Sequence, residues 1–189
     1  MSERVHVFID GSNFYHQLIK FLGHARLGNY SEFFEGLMNS GQKLVGITYY
    51  IGKINPNTGS DEREKEISKT LAAHQEKFLN WLKECGIEYK LGYFQKDGQS
   101  EKGVDVKIAV DMIKLAYEDD YDTAFLVSGD GDLVDAVDLV KELDKKVANL
   151  IFYHHKKSSF SYRLRRACDS YFYINKQVRT FVQKNEPSK

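Results

Sequence analysis

Apolar positions along the chain fall into two patterns that alternate. Compact runs at residues 5–9, 43–51, 87–94, 123–127, 147–152 and 171–174 have the length and the β-branched and aromatic content of strands. The run Val5-His6-Val7-Phe8-Ile9 and the run Thr123-Ala124-Phe125-Leu126-Val127 read as strands buried on both faces. Between the runs, apolar residues recur at helical spacing. Phe14, Leu18, Phe21 and Leu22 form one such set, and Phe33, Phe34, Leu37 and Met38 form a shorter one closed by Asn39-Ser40-Gly41. Ile67, Leu71, His74, Phe78 and Leu82 share a face of a helix over residues 61–85, which Gly86 stops. Val104, Ile108, Met112, Leu115 and Ala116 form a stripe after Gly103, and Leu133, Val134, Val137 and Val140 form another. Residues 161–167 and 178–183 complete the helices, while 52–60 and 95–101 are polar loops rich in turn formers.

Strands alternating with helices imply βαβ crossovers. The expected fold is therefore α/β: a three-layer, Rossmann-like arrangement with a mostly parallel central sheet and helices on both faces. A chain of 189 residues has room for one domain of this kind, placed at residues 1–183 with 184–189 as a frayed tail.

Composition narrows the class without naming a function. Apolar residues make up 42% and charged residues 29%, the balance of an ordinary soluble globular protein. No run approaches the roughly 18 apolar residues that span a bilayer, so no membrane partner is expected. Met1-Ser2-Glu3-Arg4 leads straight into a strand without a signal-peptide core, and the expected location is the cytoplasm. Cys85 and Cys168 have no metal-binding spacing and read as buried free thiols. The formal net charge is zero, so a nucleic-acid partner would have to be held by a local patch.

Carboxylates at strand ends are the candidate chemistry. Asp10 follows the first strand directly, and Asp130 follows the Thr123–Val127 run after Ser128-Gly129. Ligands in open parallel sheets bind just beyond the carboxyl ends of the strands. Asp105 opens a helix on that same edge, and Asp132 lies two residues beyond Asp130. Each acid alone is also a good helix cap or first-turn residue, which leaves Asp132 and Asp105 without an equal explanation. An all-oxygen set without His or Cys suits Mg²⁺ or Mn²⁺ and phosphoryl chemistry. Asp111, six residues after Asp105 and about 120° around the helix from it, reads as an outer-face or supporting residue.

The blocks Phe8-Ile9-Asp10-Gly11-Ser12-Asn13, Lys102-Gly103-Val104-Asp105-Val106 and Val127-Ser128-Gly129-Asp130-Gly131-Asp132 resemble, in order and spacing, the signature blocks of NYN domains. More narrowly, they are similar to the LabA-like branch of PIN-fold nucleases. The resemblance covers roughly residues 4–175, with Leu164-Arg165-Arg166-Ala167-Cys168-Asp169 similar to the family's closing helix. It implies a PIN-like fold and metal-dependent hydrolysis of RNA phosphodiester bonds. Asp10, Asp105 and Asp130 would then hold Mg²⁺ or Mn²⁺, and Asp132 would be a further ligand or would position water. Asn13 would hydrogen-bond an acid or a phosphate, and Ser128 would orient Asp130. Read from the residues alone, Lys102 just ahead of Asp105 is a candidate substrate contact through phosphate, with a solvated loop lysine as the plainer alternative. The chain departs from the family after Asp132, where Leu133-Val134-Asp135 replaces the usual aromatic residue and proline.

Substrate contacts are expected in the densest basic region. His154-His155-Lys156-Lys157 is followed by Arg163, Arg165 and Arg166, with Phe160 and Tyr162 between. Basic residues interleaved with aromatics suit single-stranded RNA; a solvated helix face with its aromatics turned inward is the plainer alternative. Two other functional readings stand beside the ribonuclease: a non-catalytic PIN-like module binding RNA or protein, and a Mg²⁺-dependent phosphohydrolase of small esters. A dimer is possible, and the sequence does not decide it.

Overall fold

A computed structural model describes residues 2–23, 27–94, 101–153 and 161–185. The strands are β1 (Glu3–Asp10), β2 (Gln42–Lys53), β3 (Glu88–Phe94), β4 (Glu101–Lys102), β5 (Thr123–Val127), β6 (Lys146–Ile151) and β7 (Ser170–Tyr173). The helices are α1 (Gly11–Leu22), α2 (Tyr30–Glu35), α3 (Glu62–Glu84), α4 (Val104–Tyr117), α5 (Val134–Glu142), α6 (Tyr162–Ala167) and α7 (Asn175–Asn185). One seven-stranded sheet has the order β4-β3-β2-β1-β5-β6-β7. Every pairing is parallel except that of β4 on β3. The mostly parallel α/β fold expected from the sequence is the fold observed. No helix among the described residues is long and apolar enough to cross a membrane.

The pleat of β1 divides the core. Val5, Val7 and Ile9 face Phe14 and Leu18 of α1, Leu82 of α3 and Val178 of α7. Phe8 points the other way, into a cluster with Ile108 and Met112 of α4, Val137 of α5 and Leu164 of α6. Burying each such side chain is worth roughly 1.5–3 kcal/mol, which explains why β1 and β5 read as continuous apolar runs.

Four details differ from the sequence reading. β4 lies where a polar loop was expected, because two residues without an apolar run pair through backbone alone, Glu101 opposite Phe94 and Lys102 opposite Tyr93. Residues 95–100 lie outside the described residues. In α3 the inward face is Gln75, Leu79 and Leu82, with Ile67 at 50% and Leu71 at 49% exposure. This helix of 23 residues is about 34 Å long, and residues 62–72 in its first half include no buried position. Gln75 turns inward because its amide closes the end of β2, donating to the Gly52 carbonyl at 2.7 Å and accepting from the Ile54 N–H at 2.9 Å. Cys168 is buried as expected, whereas Cys85 sits exposed just past the end of α3. Finally, Asp111 is buried in α4 rather than on its outer face, where it accepts from the Tyr50 hydroxyl and pairs with Lys90, both at 2.8 Å.

From β1 the chain winds outward through β2 and β3, then returns through α4 to β5 on the other side of β1. The β1/β5 junction is therefore the switch point of the sheet, and a crevice opens there at the carboxyl ends. Gly11 makes the first turn of α1 possible at this edge. A side chain at residue 11 would strike the Tyr49 ring and come within 2.5 Å of the Tyr50 carbonyl oxygen. Gly11→Ala is expected to lower stability by about 1–3 kcal/mol, despite the better helix propensity of Ala. A urea midpoint unchanged from wild type would contradict that close approach.

Candidate active site

Asp10 is the last residue of β1 and the cap of α1. One carboxylate oxygen accepts from the Asn13 backbone N–H at 3.0 Å, and the other accepts from the Ser128 hydroxyl at 2.9 Å. Ser128, two residues before Asp130, in turn accepts from the Asp130 N–H at 3.1 Å. One hydroxyl thus ties the end of β1 to the loop after β5. Asn149 of β6 steadies that loop from below, its amide N–H₂ donating to the Leu126 and Ser128 carbonyls at 3.1 and 2.9 Å.

Both readings of the strand-end acids hold at once. Asp10 caps α1, and Asp130 caps the short 3-10 turn Gly131–Leu133 by accepting from the Asp132 N–H at 2.9 Å. Asp105 lies in the first turn of α4 after Gly103, whose φ of 77° is the left-handed conformation glycine adopts freely. Asp132 is exposed at the rim. The departure at Leu133-Val134-Asp135 resolves simply. Leu133 is buried and closes the 3-10 turn, and the exposed Asp135 lies in the first turn of α5, where the macrodipole favours an acid.

Glu101 belongs to the crevice and the sequence reading missed it. From β4 it accepts from the Ser12 hydroxyl and from the Gly52 backbone N–H. Only the two-residue strand places it there, and a lone Glu in a polar stretch carries no signal of that. Its neighbour Lys102 is exposed, and the strand alternation sends it to the opposite face.

Asp10 and Asp105 feel the charges of the other acids at this edge. Asp10 is 7% exposed, and burial, with the charges of Asp105 and Glu101 added, pushes its carboxyl up to about 6. Asp105 is likewise raised by burial and then by Asp130, Glu101 and Asp132. None of the ion pairs found among the described residues involves any of these five acids. In chemistry the donor set fits a hard divalent cation: oxygen ligands only, with uncompensated charge at a strand-end crevice. In position the groups are spread, and among the described residues no three His, Cys, Asp or Glu side chains gather closely enough to hold one ion.

The remaining expected contacts divide. Asn13 bonds Asp10 through its backbone, and the residue lines a small cleft with Gln17, Ser128, Gly129 and Phe152. The Ser128 hydroxyl orients Asp10 rather than the carboxyl of Asp130. Arg163, Arg165 and Arg166 lie on α6, which packs against the Gly131–Leu133 turn. Tyr162 is exposed instead of turned into the core. His154, His155, Lys156, Lys157 and Phe160 lie outside the described residues.

Three comparisons bear on this site. The sequence profile of the NYN domain matches residues 4–175. The chain is 27% identical over 188 residues to the Low amplitude and bright protein LabA of Synechococcus elongatus, covering 97% of this chain and 89% of that protein. It shares its fold with a solved protein of unknown function from Vibrio parahaemolyticus, with a TM-score of 0.66 and 22% identity over 93% of this chain and 95% of the other.

Proposed function

The chain belongs to the NYN domain family, a group of nuclease-like or RNA-related modules, and on that footing we propose that it is a divalent-metal-dependent ribonuclease. The observation that supports this reading is that Asp10 and Asp105 at the switch point are held up by burial and by the charges of acids from neighbouring segments, with no ion pair to any of these acids among the described residues. Uncompensated negative charge of this kind opposes an RNA phosphate, and a cation reverses that.

Asp10, Asp105 and Asp130 are the residues proposed to hold Mg²⁺ or Mn²⁺, with Glu101 and Asp132 adding charge at the two sides. The chemistry such an ion supplies when bound is activation of water and stabilisation of the leaving ester oxygen. The protein's own contribution is orientation. The Asn13 N–H and the Ser128 hydroxyl fix both oxygens of Asp10, and the Ser128–Asp130 link holds the second segment in register with the first. Asp132, exposed at the rim, is the candidate to orient water.

Purified protein is expected to cut labelled RNA with Mn²⁺ or Mg²⁺ and to stop when the metal is chelated. The spread of the carboxyl groups favours one other reading, a PIN-like module that binds RNA or a protein without cutting. RNA binding without cleavage under any divalent metal would establish that reading against the ribonuclease. Turnover of small phosphate esters alone would indicate a phosphohydrolase.

A further inference from the structure

We propose that α6 and β7 form a base-stacking platform that selects single-stranded RNA for the acidic crevice, an inference that rests on the ribonuclease reading only for what happens to the RNA afterwards. β7 is an edge strand with all four residues exposed. Strand alternation puts Tyr171 and Tyr173 on one face, their rings edge to face at 73° with centroids 5.6 Å apart, and Tyr153 continues the row edge to face with Tyr173 at 63° and 5.3 Å. Tyr162 of α6 adds a ring that is 60% exposed.

One cation touches three of the rings. The Arg165 guanidinium lies 4.8 Å from the Tyr171 ring centre and 5.0 Å from that of Tyr162, and it donates to the Tyr173 hydroxyl at 3.2 Å. The platform is thereby ordered before any ligand arrives. α6 carries Arg163, Arg165 and Arg166 and no acid; Arg163 and Arg166 are exposed, and the Arg166 guanidinium lies 5.9 Å from the Tyr162 ring centre. The ligand that matches exposed tyrosine rings, each turned differently, with guanidinium groups beside them is an anion with open π faces. Single-stranded RNA has both, whereas the base faces of a duplex are already stacked.

The platform is continuous with the crevice. The Ser161 N–H at the start of α6 donates to the Gly129 carbonyl at 2.8 Å, one residue from Asp130. The crevice is itself negative, so affinity for a polyanion has to come from beside it, and the platform is the adjoining surface that supplies positive charge with stacking area.

The test measures binding of labelled oligouridylate RNA by fluorescence anisotropy in chelator, where nothing is cut. Wild type is expected to hold the single strand at least about tenfold tighter than an RNA duplex of equal length. Tyr171→Ala combined with Tyr173→Ala is expected to weaken binding by about tenfold per ring, while Tyr171→Phe keeps it. Tyr162→Ala, at a more exposed ring, provides a second variant if the first pair disturbs folding. Unchanged affinity in the alanine variants, or a preference for duplex, would overturn the platform. So would light scattering that finds wild type dimeric and the double variant monomeric, since the face would then be a contact between copies. Binding that follows the tyrosines in a protein that never cuts would sink the nuclease reading and leave the platform standing. Cleavage with no dependence of binding on the tyrosines would do the reverse.

Discussion

Asp10→Asn is expected to abolish cleavage and at the same time to make the metal-free protein more stable. Activity should fall by more than about a hundredfold, since even partners that only orient a metal ligand are worth 10–100-fold. Stability should rise because the native fold disfavours the charge on Asp10. Burial first, and the neighbouring Asp105 and Glu101 charges after it, move the carboxyl from 3.8 to about 6. A carboxyl raised in the folded state contributes stability below its unfolded value, and that contribution is lost as pH rises through about 6. The displacement corresponds to about 3 kcal/mol as an upper figure. Asn carries no charge at any pH and still accepts from the Asn13 N–H. Urea unfolding in chelator should therefore separate the two proteins by about 1–3 kcal/mol above pH 6 and by much less near pH 4. Mn²⁺ should then stabilise wild type and leave the variant where it was. Cleavage retained by the variant would refute the role of Asp10. A variant less stable than wild type at pH 7.5 would refute the electrostatic account.

Asp111→Ala is expected to do the opposite, costing about 2–4 kcal/mol of stability with the activity of each folded molecule unchanged. Asp111 is buried, accepts from the fully buried Tyr50 hydroxyl and pairs with Lys90. Removing it strands the hydroxyl in an apolar cluster and leaves Lys90 without its closer carboxylate, Glu88 being 3.6 Å away. The Lys90 side chain is 36% exposed, so solvent screens part of the loss. Asp111→Asn, which can still accept from Tyr50, should recover much of the stability in a thermal melt. A loss of cleavage larger than the loss of folded protein would give Asp111 a part in catalysis.

These two aspartates show how far the sequence could be read. Asp10 stands at the junction of a buried strand and an amphipathic helix, and both flanking patterns are visible in the residues, so its place at the sheet edge was legible. Asp111 and Asp105 share one helix, and periodicity gives the angle between them but not what lies opposite. The face of Asp111 was settled by Tyr50 and Lys90, residues 61 and 21 positions away. α3 gives the same lesson in apolar terms. Ile67 and Leu71 have helical spacing, yet burial went to Gln75 because its amide closes the end of β2. Glu101 was missed because backbone pairing alone put it beside Ser12 and Gly52.

By itself, the sequence determined the alternation of buried strands and amphipathic helices, and with it a parallel sheet whose carboxyl edge carries Asp10, Asp105 and Asp130. Local spacing suffices for that, because strand and helix periods are properties of neighbouring residues. Only the tertiary structure decided which acids feel one another, that one serine hydroxyl joins Asp10 to the Asp130 loop, and that Arg165 lies between the Tyr162 and Tyr171 rings. Those facts depend on separations through space between distant parts of the chain. Charge coupling, burial and ring contacts are set by those separations, and the order of residues does not encode them locally.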